Sequence, residues 1–256
     1  MNITLENETV VITGGARRLG RAIAQECARS GGNVCITYNR SEDDARQTLA
    51  LLELARTHER QQFAAIRCDV TGSGEIERLK TEALALFPSI TALVNSAAIF
   101  RRTPFEETDS SQWEQAFDDH IATNLKAPYV LSHSFGKLFI QQKRGSIVNI
   151  ADIYGTKPLK NYASYCTSKA GVVMLTEVMA RALAPHVRVN CICPGTILVP
   201  SEAQGEGDDV EELLPKIPAG RLGTPEEIAQ SVVFLIGGPQ FITGAILHVD
   251  GAQRLK

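Results

Sequence analysis

The chain has 256 residues, 44% of them hydrophobic, with a formal net charge of −3 and a pI near 6.0. That balance supports a full globular core and gives no reason to expect nucleic acid, where a basic face would be the footprint. No apolar run approaches the roughly 18 residues that span a bilayer, and the opening M-N-I-T-L-E-N-E has neither the basic nor the apolar region of a signal peptide, so a cytoplasmic protein is expected.

The first strand-like run is T-V-V-I-T (9–13), followed by a helical pattern at 19–30, N-V-C-I-T-Y (33–38) and a helix near 41–57. F-A-A-I-R-C-D-V (63–70), a helix at 73–86 and I-T-A-L-V-N (90–95) come next. One long helical pattern covers 111–142; S-I-V-N-I-A (146–151), a helix at 162–184, V-R-V-N-C-I (187–192), a helix at 225–236 and A-I-L-H-V (245–249) complete the chain. Near-continuous apolar strands separated by helices imply a parallel sheet covered on both faces. The expectation is therefore a single α/β domain over 1–256, a doubly wound, Rossmann-like sheet of seven parallel strands. The stretch 196–220, rich in Gly, Pro and acid, reads as an excursion beyond a strand end, where ligands of such sheets sit, and a loop at 197–217 is expected to close over the substrate. The six cysteines (27, 35, 68, 166, 191 and 193) form no C-x-x-C pair, and reduced, mostly buried thiols are expected. The five histidines have no metal-ligand spacing, so no metal is expected.

T-G-G-A-R-R-L-G (13–20) joins the first strand to the first helix. Glycines in that turn let the backbone approach a pyrophosphate, which the helix N-terminus then holds. Gly14, Arg17, Arg18, Leu19 and Gly20 make the candidate cradle, with Arg18 where a middle glycine is the common choice. A site for NAD puts an acid at the end of the second strand to hold the ribose 2′-hydroxyl. Here Tyr38, Asn39, Arg40 and Ser41 stand there instead, and a guanidinium with a hydroxyl suits a 2′-phosphate, which favours NADPH/NADP. In Y-C-T-S-K, Tyr165 and Lys169 are one helical turn apart. A neighbouring ammonium lowers a phenol pKa, so Tyr165 reads as a proton donor. Asp152 lies thirteen residues before Tyr165, at the mouth of an apolar strand. A carboxylate there costs free energy unless it is used or paired; its plain alternative is a helix cap.

These motifs, with C-D-V at 68–70, N-S-A-A at 95–98, Asn124 in A-T-N-L-K-A-P, C-P-G-T at 193–196 and V-D-G at 249–251, make the chain resemble the short-chain dehydrogenase/reductase family over its whole length. The resemblance implies that Asp69 and Val70 flank the adenine, Asn95, Ser96 and Ala97 the ribose, and Pro194, Gly195, Thr196 and Ile197 the nicotinamide. It implies that Asn124 anchors a proton path to Lys169. It also suggests a homotetramer or a dimer through the helices at 111–142 and 162–184 and the C-terminal strand. The departures from the usual pattern, Asp152 for serine, Arg18 for glycine and S-A-A for N-A-G, resemble the pteridine reductase and dihydromonapterin-reductase-like subgroup. There the aspartate pairs with the tyrosine and an aromatic after the fourth strand, here Phe100, stacks on the pterin. A pterin presents N–H donors that a carboxylate accepts, and its C=N nitrogen gains a proton during reduction. Arg18, Phe100, Asp152 and Tyr165 are thus the candidate substrate contacts, and Asp152, Tyr165, Lys169 and Asn124 the catalytic set. The resemblance leaves two alternatives: a carbonyl reductase of 3-oxoacyl thioesters, sugars or steroids, and a non-catalytic sensor of NADPH.

Overall fold

The computed structural model describes residues 3–106, 109–197 and 213–256. Seven strands form one parallel sheet: β1 Thr9–Ile12, β2 Asn33–Tyr38, β3 Phe63–Arg67, β4 Ala92–Asn95, β5 Gly145–Ile150, β6 Val187–Pro194 and β7 Ile246–Val249, in the order β3-β2-β1-β4-β5-β6-β7. The helices are α1 Arg18–Arg29, α2 Glu42–Leu54, α3 Glu75–Leu86, α4 Ser110–His120, α5 Ala127–Gln142, α6 Ala163–Leu183 and α7 Pro225–Gly237.

Successive strand residues point to opposite faces. Val10 and Ile12 therefore join Val34, Ile36 and Val94 in a core beneath α1, α2 and α7, whereas Val11, Cys35, Leu93 and Ile147 join the core beneath α3, α5 and α6. Both faces are covered, so the strands are largely apolar on both sides, as the near-continuous runs in the sequence require. The strand order reverses between β1, which turns to β2, and β4, which carries the chain the other way. The carboxyl ends of these strands open a crevice there.

Two elements differ from the sequence expectation. The helical pattern at 111–142 is two helices joined by a π-helical turn, Ile121–Lys126. Pro128 has no N–H to give to the carbonyl four residues before it. The backbone widens there, and the Ala127 N–H reaches the Ala122 carbonyl, five residues back. β3 stops at Arg67 rather than Val70, because the Asp69 side chain takes over the local hydrogen bonding: its Oδ1 accepts from the Thr71 N–H at 3.0 Å and from the Thr71 hydroxyl at 2.7 Å. Such a side-chain turn competes with the strand ladder. Most of the loop at 197–217 lies outside the described residues.

Candidate active site

The crevice is a cavity of about 710 Å³ running along the carboxyl ends of β1, β2, β4, β5 and β6. Its floor at one end is the turn after β1. Gly14 has φ +65°, and a Cβ on it would come within 3.0 Å of the Ala97 Cα. A Cβ on Gly20 would stand 2.2 Å from the Gly14 carbonyl oxygen, so only glycine closes this turn. Arg18 keeps the left-handed conformation that favours glycine (φ +48°) while presenting a long cationic side chain at the cavity wall. An L-residue there costs about 1–2 kcal/mol, a strain that clusters at functional positions.

Beyond the turn, Tyr38, Asn39, Arg40 and Ser41 line the far end of the cavity, with Asp69 and Val70 opposite. Ser41 stands at the N-cap position of α2, yet its hydroxyl makes no capping bond, which leaves it free for a ligand. Arg17 reaches the same region and has a carboxylate beside it: its Nε is 3.8 Å from Asp44, which also pairs with Arg21 at 3.3 Å. Hydrogen bonding from Thr71 is the main cause that holds the Asp69 carboxyl below its ordinary pKa. Leu19, Ser96, Ala97, Pro194, Gly195 and Ile197 also lie in the wall.

Three residues expected at the cofactor or the proton path are placed behind that wall. Asn95 is buried at the end of β4, donating to Asn149 at 2.7 Å and to Ser132 at 3.3 Å, and its Oδ1 has no protein partner. Thr196 is tied to Gln253, whose Oε1 accepts from the Thr196 N–H at 2.8 Å and whose Nε2 donates to the Thr196 hydroxyl at 3.0 Å. Asn124, in the π turn, brackets Ile99: its Oδ1 accepts from Ile99 N–H at 2.9 Å and its Nδ2 donates to the Ile99 carbonyl at 3.0 Å and to Ser168 at 3.1 Å.

At the opposite end of the cavity the ionisable groups converge. The Tyr165 hydroxyl, on the first turn of α6, donates to Asp152 Oδ2 at 2.7 Å. Asp152 follows β5 and also accepts from the Tyr154 N–H at 2.9 Å, so it caps the short turn Ile153–Gly155 as well as holding the tyrosine. The structure corrects the expected direction of the Tyr165 pKa. Burial, and after it the adjacent Asp152 carboxylate, raise it well above the ordinary phenol value. Lys169 does not counter this: its ammonium donates to the Ile150 carbonyl at 2.9 Å and stands 5.8 Å from the centre of the tyrosine ring, and burial lowers its own pKa. Burial also raises the pKa of Asp152. The three groups therefore form a buried proton-holding cluster in which Tyr165 remains a phenol.

Phe100, half-exposed in the loop after β4, stacks on Tyr162 with ring centres 4.5 Å apart and planes 12° from parallel, and meets the edge of Tyr165 at 4.7 Å. It is not part of the cavity wall itself. Sequence reasoning missed Tyr162, Gln253 and the buried His120, whose roles depend on contacts between distant segments. Of the cysteines, all six are free thiols, with Cys166 half-buried and the others buried. Among the described residues no cluster of His, Cys, Asp and Glu is arranged to hold a metal, and no helix is long and apolar enough to cross a membrane.

A family model described as enoyl-(acyl carrier protein) reductase matches residues 14–252, which span every wall of this cavity. The chain belongs to the short-chain dehydrogenase/reductase family. Members of this family are oxidoreductases that use a nicotinamide cofactor. Among curated members, 3-oxoacyl-[acyl-carrier-protein] reductase FabG of Staphylococcus epidermidis is 32% identical over 251 residues, covering 97% of this chain and all of that one. 2-(S)-hydroxypropyl-CoM dehydrogenase 3 of Xanthobacter autotrophicus is 32% identical over 263 residues, covering 99% of each. Among solved structures, a short-chain type dehydrogenase/reductase from Mycobacterium marinum superposes with a TM-score of 0.88 at 26% identity, over 98% of this chain and 96% of that one. The residues at the cavity fit the dinucleotide of this short-chain dehydrogenase/reductase: a side-chain-free turn at Gly14 and Gly20, then cationic and hydroxyl groups at its far end.

Proposed function

We propose that the chain is an NADPH-dependent reductase of a C=N bond in a pterin-like ring, converting a dihydropterin to its tetrahydro form. The observation that carries the reading is the 2.7 Å hydrogen bond between Tyr165 and Asp152 at the substrate end of the cavity. A hydroxyl-bearing side chain at position 152 would donate to a ketone oxygen, whereas an ionised carboxylate repels one and accepts N–H groups instead.

In this reading the Gly14–Gly20 turn holds the pyrophosphate, and Arg40 and Ser41, with Arg17 beside them, hold the 2′-phosphate. Asp69 and Val70 flank the adenine, Ser96 and Ala97 the ribose, and Pro194, Gly195 and Ile197 the nicotinamide, with Asn95 and Thr196 bracing that wall from behind. When bound, the reduced nicotinamide supplies the hydride that goes to the ring carbon. Tyr165 gives its proton to the ring nitrogen, and Asp152, sharing that proton, accepts the ring and amino N–H donors and orients the ring. Because the two groups are coupled, they titrate as a pair. Lys169, held against Ile150, keeps a positive charge near the pair. Arg18 faces the acceptor edge of the ring, and Phe100 backs the site. Apolar side chains exposed on α5 and α6, among them Tyr129, Ile140, Met174 and Val178, support a homodimer or homotetramer through those helices.

A second reading, a carbonyl reductase, is favoured by what the similar proteins are named for, including a 3-oxoacyl-[acyl-carrier-protein] reductase. The two readings part at position 152. Replacing Asp152 by Ser separates them: the pterin reading expects dihydropterin reduction to fall by about 10²–10⁴, the size of an acid–base contribution. Dihydropterin reduction that survives the change would remove Asp152 from the chemistry, and 3-oxoacyl thioester reduction by the unaltered enzyme with no pterin reduction would establish the second reading. A sensor without turnover is disfavoured by the presence of Tyr165 and Lys169 together at the cavity wall.

A further inference from the structure

His120 is wholly buried at the last position of α4, outside the cavity wall. Its imidazole ties together three segments. Nδ1 lies 2.7 Å from the Ala116 carbonyl of its own helix and 3.0 Å from the Ser164 hydroxyl at the start of α6. Nε2 accepts from the Arg101 N–H at 3.4 Å. Ser164 and Arg101 are the chain neighbours of Tyr165 and Phe100, and the imidazole itself meets the Tyr165 ring edge-on at 6.0 Å. One side chain therefore holds both the proton donor and the aromatic beside it.

The surrounding contacts reinforce that grip. Asp119, next to His120, accepts from the Arg101 guanidinium at 2.6 Å. Asn124, one turn further along, brackets Ile99 from both its N–H and its carbonyl. The residues on either side of Phe100 are thus fixed by the end of α4 and the π turn, while the Phe100 ring itself remains half-exposed.

We infer that His120 is a positioning residue for the substrate ring, acting through the backbone at Arg101 and Ser164 to set Phe100 against Tyr165. The inference rests on the pterin reading only for the identity of the ring. The geometry also fixes which nitrogen carries the proton. A hydrogen on Nδ1 satisfies the Ala116 carbonyl and leaves Nε2 as the acceptor that Arg101 N–H needs; the other tautomer faces donor with donor and acceptor with acceptor. Burial, the main cause, and the positive charges of Arg101 and Lys169 outweigh the Ala116 carbonyl and the Asp119 carboxylate, which favour protonation, so the neutral form is favoured. Loss of this order displaces a ring contact without touching the dinucleotide cradle, and displacements on the order of 1 Å cost about 10²-fold in rate.

The test compares His120→Phe, which keeps the ring shape and removes both nitrogens, with His120→Gln, which restores an acceptor for Arg101. Dihydrobiopterin reduction is expected to fall about tenfold to hundredfold in His120→Phe, with NADPH affinity within about twofold of wild type and substantial recovery in His120→Gln. In a Phe100→Ala background the same His120→Phe change is expected to add less than about threefold, because contacting residues that act as a unit are not additive. Unchanged turnover in a folded His120→Phe protein, a parallel loss of NADPH affinity, or full additivity with Phe100→Ala would overturn the inference. Should His120→Phe fail to fold, imidazole nitrogen NMR of the wild-type protein decides instead. A neutral, Nδ1-protonated ring across about pH 6–8 supports the inference, and an Nε2-protonated or freely titrating ring overturns it. If wild type reduces no pterin, the proposed function fails while the NMR and NADPH measurements still judge His120.

Discussion

Replacement of Asp152 by Asn separates the cost of burying a carboxylate from its use. In the folded protein the carboxylate accepts two hydrogen bonds, from Tyr154 N–H at 2.9 Å and from Tyr165 at 2.7 Å, yet burial is the larger influence and raises its pKa. The sign follows from linkage. A carboxyl whose folded pKa lies above its unfolded value contributes stability that is full below the unfolded value and is lost as the pH rises through the folded one. In Asp152→Asn the side-chain oxygen still serves Tyr154, while the amide offers a donor where Tyr165 needs an acceptor. The change also takes from the buried Lys169 the carboxylate that does most to hold its ammonium charged, so the pH dependence of the difference, not its absolute value, reports the burial of Asp152. Relative to its standing at low pH, the variant is expected to gain on wild type by about 1–3 kcal/mol once the wild-type carboxyl is ionised, since the neutral amide carries no buried charge. That corresponds to a relative gain in melting temperature of about 2–12 °C for a chain of this size. The gain should shrink as the pH falls through the raised pKa of the wild-type carboxyl, which takes up its proton there. Reductase turnover should fall by about 10²–10⁴ at the same time. Melting curves across that titration, with turnover measured beside them, check both halves. A stability difference independent of pH, or turnover within about threefold of wild type, would refute the reasoning.

Other expectations follow from separate parts of the structure. Arg40→Asp should weaken NADPH binding by about 10–150-fold, the worth of a charge-assisted bond, and weaken NADH binding far less, as titrated by the fluorescence of the reduced nicotinamide. Gly20→Ala should abolish binding of either dinucleotide in the same titration, because the added Cβ would stand 2.2 Å from the Gly14 carbonyl. Arg188, buried on β6, donates to the carbonyls of Leu235 and Ile236 at 2.7 Å each and to Ile242 at 3.3 Å. Arg188→Met strands those carbonyls and should cost about 3 kcal/mol in denaturant unfolding.

The sheet was legible because the strands are near-continuous β-branched or apolar runs set between helical periods, a pattern that a parallel sheet covered on both faces satisfies. The Gly14–Gly20 turn and the Tyr165–Lys169 spacing were legible because local geometry alone dictates them. The break at Ile121–Lys126 had a visible cause in Pro128, but the apolar periodicity continues through it and hides the change of pitch. Direction of the Tyr165 pKa was not legible: spacing puts an ammonium one turn away, whereas burial and the orientation of Lys169 towards Ile150 decide the outcome. Neither was the role of His120, whose partners lie 19 and 44 residues away along the chain. Of the loop at 197–217 expected to close over the substrate, residues 198–212 lie outside those described.

The central claim, that Asp152 and Tyr165 form a proton-delivery pair for a ring C=N bond, is tested most directly by substrate competition in the unaltered enzyme. NADPH consumption would be followed with dihydrobiopterin or dihydromonapterin and, separately, with acetoacetyl thioester. The account predicts a kcat/KM for the pterin at least about 10²-fold above that for the thioester, a difference of about 2.7 kcal/mol in transition-state binding. Preference for the thioester, or no pterin reduction at all, would contradict it and leave a carbonyl reductase with an aspartate where a hydroxyl was expected.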